Sequence, residues 1–491
     1  MTPPRSLNET LTQTRVEAMT RRHFLGRATC SFGATALAGL LTGPESLAAM
    51  MNPEAFGVGT LPHFHATAKR VIYLHMAGSP PQHDLLDPKP LLNQRHGEIA
   101  PIDCYNDRSA FVKPNATVCG SPFRFEQVGD NGARISELLP HFKTMIDDVC
   151  IVRSMHTEQF NHAPAQLMLY TGHHLQGRPS MGSWLSWGLG SENRNLPDFL
   201  VLVSGGKKPS AGTSTWGSGF LPTIHSGVQC RSSGDPVLDI KDPTGMNRNL
   251  RRRTIDTINA INQLHADDFG DPQTLARIEQ YELAYRMQTE VPDVMEISKE
   301  PPAVLEAYGA DPGKASFANN CLLARRLSES GVRFVQLFDW GWDMHGTGKD
   351  TDLVHGLPKK CQGMDQPVTA LLRDLKQRGL LDETLVVWTG EFGRTVMNEE
   401  RTKGTKLLGR DHYPGCYSIW MAGGGCNAGG VIGATDEWGA HVVENPVHVH
   451  DLQATMLHML GIDHERLTFR SQGRDFRLTD VHGSVLPELM A

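Results

Sequence analysis

The chain has 491 residues, of which 39% are hydrophobic and 21% charged, with a formal net charge of −7. Such a chain can bury a large core, either as about three domains or as one large α/β domain with insertions. The mildly acidic balance and the lack of a sustained basic patch argue against a nucleic-acid partner, and the short run Arg251-Arg252-Arg253 reads as the solvated face of a helix.

In chain order, the first feature is Thr20-Arg21-Arg22-His23-Phe24-Leu25, which matches a twin-arginine export signal. The apolar stretch after it, Ala28 to about Leu41, is short and rich in Gly and Ala. It is a poor membrane span, and the small residues around Ser46-Leu47-Ala48-Ala49 offer a cleavage site. Residues 1–49 are therefore expected to be a signal peptide, 50–65 a linker, and 66–480 a single α/β domain with insertions. An uncleaved anchor is the alternative. The expected compartment is the periplasm or the exterior, with the twin-arginine machinery as a partner and no stable membrane span after cleavage. That machinery exports folded proteins, which suits a protein that acquires a metal before it leaves the cytoplasm.

Arg70–Met76, Val149–Ser154, Phe199–Val203, Val332–Phe338 and Thr384–Thr389 are short, β-rich apolar runs that predict buried strands. Between them, Thr254–Met287, Pro367–Arg378 and Asp451–Leu460 carry apolar residues at helical spacing, with Asp451 as the expected N-cap. Alternating apolar strands and helices predict a mostly parallel central sheet with helices on both faces. Sites in such folds lie at the C-terminal ends of strands.

Polar clusters fall at those ends. Asp343 and His345 in Trp342-Asp343-Met344-His345-Gly346 follow a strand and can reach one divalent ion. Glu391 in Gly390-Glu391-Phe392-Gly393-Arg394 follows another strand and needs a metal or Arg394 to remain ionised. Asp411 and His412, beside Arg410, fit a metal, an anion or a loop ion pair. Asp84 is a further candidate ligand, whereas Asp87 before Pro88 reads as a turn former. Asn161 and His162 form another cluster, and Ser180 reads as a helix cap more readily than as a nucleophile. Of nine cysteines, Cys30 lies in the signal and no CxxC pair exists, which excludes zinc-ribbon and thioredoxin readings. Cys104 with Cys119, or Cys416 with Cys426, can pair in an oxidising compartment, and free buried thiols are the alternative.

The order of these motifs resembles the sulfatase branch of the alkaline phosphatase superfamily. Met364–Pro367 through Thr384–Gly393 is similar to the sulfatase helix, turn and strand that end in a metal-binding Asp, with Glu391 in its place. Asp411-His412-Tyr413-Pro414 is similar to the later His ligand, and His450–Leu457 to the C-terminal helix. Sulfatases carry a Cys nucleophile with Thr-Gly nine and ten residues on; here His162 stands there, ahead of Thr171-Gly172, and Gln166 replaces the Arg. Ala77-Gly78 replace the aspartate pair after the first strand. These departures, with Asp87-Pro88-Lys89-Pro90, Trp342–Gly346, Gly390–Arg394 and Gly409-Arg410-Asp411-His412-Tyr413-Pro414, identify the chain as a member of a family of exported bacterial proteins grouped with sulfatases, the domain-of-unknown-function 1501 family.

The resemblance implies a metal-dependent hydrolase of sulfate or phosphate esters. It implies a divalent metal (zinc, calcium or manganese) on Asp84, Asp343, His345, Glu391, Asp411 and His412, with Arg394 or Arg410 holding the substrate anion. His162, beside Asn161, is then a nucleophile, a general base or itself a ligand. The substrate class is an anionic ester, with sulfated polysaccharide among the candidates. The competing expectation is a non-catalytic exported binding or assembly protein on the same scaffold.

Overall fold

Strand β1 (Arg70–Ala77) is buried along all but its first residue, and its side chains divide between two cores. Ile72, Leu74 and Met76 enter one apolar cluster, and Val71, Tyr73 and Ala77 enter the other. A strand covered on both faces in this way belongs at the centre of an α/β sheet. The computed structural model describes residues 62–104, 115–232, 234, 236–237, 245–269, 272–400 and 404–491. The export signal and its cleavage region lie outside them.

The other strands of the main sheet are β2 (Val149–His156), β3 (Phe199–Ser204), β4 (Val228–Cys230), β5 (Phe334–Trp340) and β6 (Thr384–Thr389), followed by β9 (Tyr417–Ala422), β10 (Val431–Ile432) and β11 (Val447–His448). Two short strands, β7 (Gly393–Arg394) and β8 (His412–Tyr413), pair antiparallel outside it. The order in the main sheet is β10-β2-β9-β6-β1-β5-β3-β4, with β11 also on β2. Strand β9 runs against β2 and β6, and the remaining pairs are parallel. The five expected strands all form, and the sheet is mostly parallel, as the apolar runs imply.

Helices cover both faces. α1 (His162–Thr171), α2 (Met181–Leu189) and α7 (Val449–Met459) lie on the Val71 side. α5 (Phe317–Glu329) and α6 (Gly356–Gln377) lie on the Ile72 side. Ser180 caps α2 through the backbone N–H of Ser183, as its position before the helix suggests. Three helix boundaries differ from expectation. The stretch from Thr254 is two helices, α3 (Arg248–Phe269) and α4 (Pro272–Met295), with Pro272 opening the second. α6 begins eleven residues before Pro367, which sits inside it; burial of Leu357, Cys361, Met364 and Val368 outweighs a proline penalty of about 3 kcal/mol. α7 is capped by His448, and Asp451 at its third position accepts from the His448 backbone N–H at 3.0 Å. The eight described cysteines are buried and free. No described helix is long and apolar enough to cross a membrane.

Candidate metal centre

The C-terminal ends of β1, β5 and β6 lie side by side, so the turns that follow them meet at one edge of the sheet. Backbone approach there is close. A Cβ on Gly78 (φ 104°) would stand 2.7 Å from the Asp343 nitrogen, and one on Gly409 would stand 2.0 Å from the His345 carbonyl carbon. Glycine at both places lets the loops carrying Asp343, His345 and Asp411-His412 lie backbone to backbone.

Three imidazoles converge on the Asp343 carboxylate. His345 Nε2 is 2.7 Å and His412 Nε2 3.1 Å from Oδ1, and His162 Nε2 is 3.3 Å from Oδ2. Each ring has its other nitrogen tied to an oxygen acceptor. His412 Nδ1 donates to the Phe160 carbonyl at 2.9 Å, His162 Nδ1 donates to Glu391 at 2.7 Å, and His345 Nδ1 donates to Glu399. An Nδ1–H committed in this way leaves Nε2 as a lone pair. Arg394 also donates to the Asp343 carboxylate, and the three Nε2 atoms around it are donors that a divalent ion can gather. The four donor atoms lie within 4.8 Å of one another, and a second group, His345, Glu399 and Asp411, meets the same limit. Asp411 Oδ2 is buried without a hydrogen-bond donor, so it too has a lone pair to offer. Imidazoles with one carboxylate, whether or not His162 is counted among them, fit a zinc-like ion better than calcium, which prefers an all-oxygen shell.

The charges of the cluster also act on one another. Burial opposes the charge on His162, but Asp343 and Glu391 outweigh it and push the ring up to about 9. Burial, with Arg394 and His162 nearby, brings His412 down to about 4. The Asp343 carboxyl overcomes its burial and lies well below the usual carboxylate range, because Arg394 and the three imidazoles face it. Burial and the Glu399 charge raise Asp411.

Glu391 stands one layer behind the cluster and is fully buried. Its carboxylate accepts from the Gly78 N–H at 3.1 Å, Ser79 Oγ–H at 3.0 Å, Gln166 Nε2–H at 3.1 Å and His162 Nδ1–H. His75 Nε2 is 3.0 Å away, and its Nδ1 meets the Tyr170 hydroxyl at 2.8 Å. With its lone pairs occupied, Glu391 orients His162 and is not itself drawn among the ligands. Gly78, in place of the expected aspartate pair, lets the backbone close on that carboxylate.

The two arginines also lie elsewhere than a substrate anion needs. Arg394 is fully buried and donates to the carbonyls of Gly78, Ser79 (3.1 Å) and Arg410 (3.0 Å) and to Asp343. Arg410 and Asp84 form a buried pair, Nε to Oδ2 at 2.8 Å and Nη2 to Oδ1 at 3.3 Å. Asp84 is thereby committed away from the cluster. Asn161 is exposed at the N-terminus of α1, next to His162. The fold brings Asp343, His345, His412 and His162 together, with Asp411 beside His345. Glu399, His75, Gln166 and Lys207 are additions. Lys207 is exposed in the loop after β3, with Nζ 5.9 Å from the centre of the Trp340 ring, which in turn stands 5.5 Å from the His162 ring. The pair Gly205-Gly206 ahead of Lys207 at a strand end is the sequence signal that marks it.

The family model described as "Protein of unknown function (DUF1501)" matches residues 68–490. The chain belongs to this family. No curated protein matches it. Among solved structures, this DUF1501 member is similar to the PsFucS1 sulfatase from Pseudoalteromonas sp., at 13% identity and a TM-score of 0.35 over 86% of this chain and 73% of that one. It is similar to the lipoteichoic acid synthase LtaP from Listeria monocytogenes, at 11% identity and a TM-score of 0.31 over 86% and 79% of the two chains. It is also similar to alkaline phosphatase from the Antarctic bacterium TAB5, at 10% identity and a TM-score of 0.30 over 73% and 92%.

Proposed function

We propose that this DUF1501 member is an exported, metal-dependent hydrolase of sulfate or phosphate esters, carried to the periplasm or beyond by its twin-arginine signal. The observation that carries this reading is the convergence of three imidazole lone pairs and the Asp343 carboxylate. Asp343, His345 and His412 would hold a divalent ion, zinc by their chemistry, and that ion would supply Lewis acidity toward an ester oxygen. His162 would act as general base. Glu391 fixes its Nδ1–H, its Nε2 faces the site, and it meets the Asp343 oxygen that His345 and His412 do not. It would take the proton of the attacking water, and the exposed Asn161 beside it would meet the substrate. With Arg394 and Arg410 committed inside the protein, the cation best placed to meet an anionic ester is Lys207.

The test is metal analysis of the mature protein followed by assay on aryl sulfates and aryl phosphates. We expect at least one divalent ion per chain, its loss in Asp343→Ala, and a fall in kcat of about 10²- to 10⁴-fold with metal retained in His162→Gln. Loss of metal in His162→Gln would make that residue a ligand. A wild-type chain that takes up no zinc, manganese or calcium would overturn the proposal. The committed arginines favour a second reading, a non-catalytic exported binding or assembly protein, and metal-loaded protein inert toward every ester would support it.

A further inference from the structure

A second imidazole-rich space lies at the same edge of the sheet, beyond the C-terminal ends of β2 and β11. It is a cavity of about 620 Å³ whose lining includes Glu158, His173, His174, His448, His450 and His482. None of the residues that converge on Asp343 lines it. Helix α1 separates the two, with His162 at its first turn and Met168 and its cap Gly172 at the cavity wall.

The rings of His156, His448, His450 and His482 form a row, with successive centres 5.1, 4.9 and 5.1 Å apart. His450 is 4% exposed. Its Nε2 is 2.9 Å from the Gly172 carbonyl, which can only accept, so Nε2 carries the proton and Nδ1 is a lone pair. That Nδ1 is buried and has no hydrogen-bond partner. A backbone carbonyl fixing one nitrogen while the other is left a bare acceptor is the outer-shell arrangement of a metal-binding histidine. The surroundings suit a cation: Glu158 Oε1 is 2.8 Å from His448 Nε2 at the wall of the space. Imidazole with few oxygens selects zinc, copper or nickel over calcium or magnesium.

We infer that this cavity is a second metal site, for a divalent transition ion, anchored by His450 Nδ1 and completed by Glu158 and the exposed His482. The rings stand farther apart than those around Asp343, where the His162 and His412 centres are 4.4 Å apart, so binding draws them together. The site does not depend on the hydrolase reading. The experiment is a zinc titration against a chromophoric chelator on the full chain carrying Asp343→Ala and His345→Ala, which disables the first centre. We expect one zinc ion per chain to remain, with affinity reduced about 10- to 100-fold by His450→Gln and reduced also by His482→Ala, whose exposed ring makes no demand on folding. If that chain binds no zinc while the wild type does, this inference is overturned and the first centre stands. Unchanged zinc affinity in both histidine variants would overturn it as well. If zinc remains and is lost with His450, the second site stands whatever becomes of the first.

Discussion

Single residues at this edge divide into those that offer lone pairs to the centre and those that fix other side chains. Arg410 and Asp84 belong to the second kind. Both are fully buried, and each is the other's neutralising partner. Asp84→Asn leaves the guanidinium charge uncompensated, and we expect a loss of about 3–5 kcal/mol in a urea unfolding curve. Replacing both, as Asp84→Leu with Arg410→Met, should recover much of that loss; failure to recover would mean that the pair has a role beyond neutralisation. Glu399 fixes the outer nitrogen of His345, so Glu399→Gln should weaken metal binding about 10- to 100-fold without unfolding the protein. The candidate ligands are legible in the sequence because Asp343 and His345 follow an apolar strand at a Gly-bounded exit, and Asp411-His412 recur before another strand. Glu399 is not legible, because in Asn398-Glu399-Glu400 it reads as ordinary surface acid, and only tertiary folding turns it inward. The same holds for Asp84, whose partner Arg410 lies 326 residues away in sequence, and for Arg394, whose carbonyl partner Ser79 lies 315 residues away.

At the scale of elements, the strand runs are the most readable part of the chain, since a strand buried on both faces must be almost wholly apolar. His75 is the exception within β1, and that break in the run marks a residue working behind the site. Helix limits are less readable, because propensity is weak against tertiary packing: Pro367 looks like a first-turn residue and lies well inside α6. The short β7–β8 pairing is invisible to pattern, yet it places His412. Tyr413 pairs with Gly393, where an added Cβ would stand 1.9 Å from the Cys416 carbonyl oxygen. Gly393→Ala must therefore displace β8 or the Cys416 turn. We expect lower stability by about 1–3 kcal/mol, together with weaker metal retention. Weakened stability with full metal affinity would show that His412 is positioned independently of this pair.

Across the whole molecule, the sheet brings together segments that the chain keeps far apart. The alternation of apolar strands and helices announces an α/β fold, whereas strand order has no local signature, and neither the antiparallel β9 between β2 and β6 nor the approach of α7 to α1 is written in any one motif. The donors around Asp343 come from the start of α1, the exit of β5 and strand β8, so none of them meets another until long stretches of chain have found their places. Closing such loops is slow and comes before the contacts that reward it. Zinc should then bind only the finished fold: it should slow unfolding and leave the refolding rate unchanged, as stopped-flow measurements with and without the ion would read out. Faster refolding with zinc would mean that the ligands gather before the sheet does, and that the ion acts as a folding template and not merely as a lock on the native state.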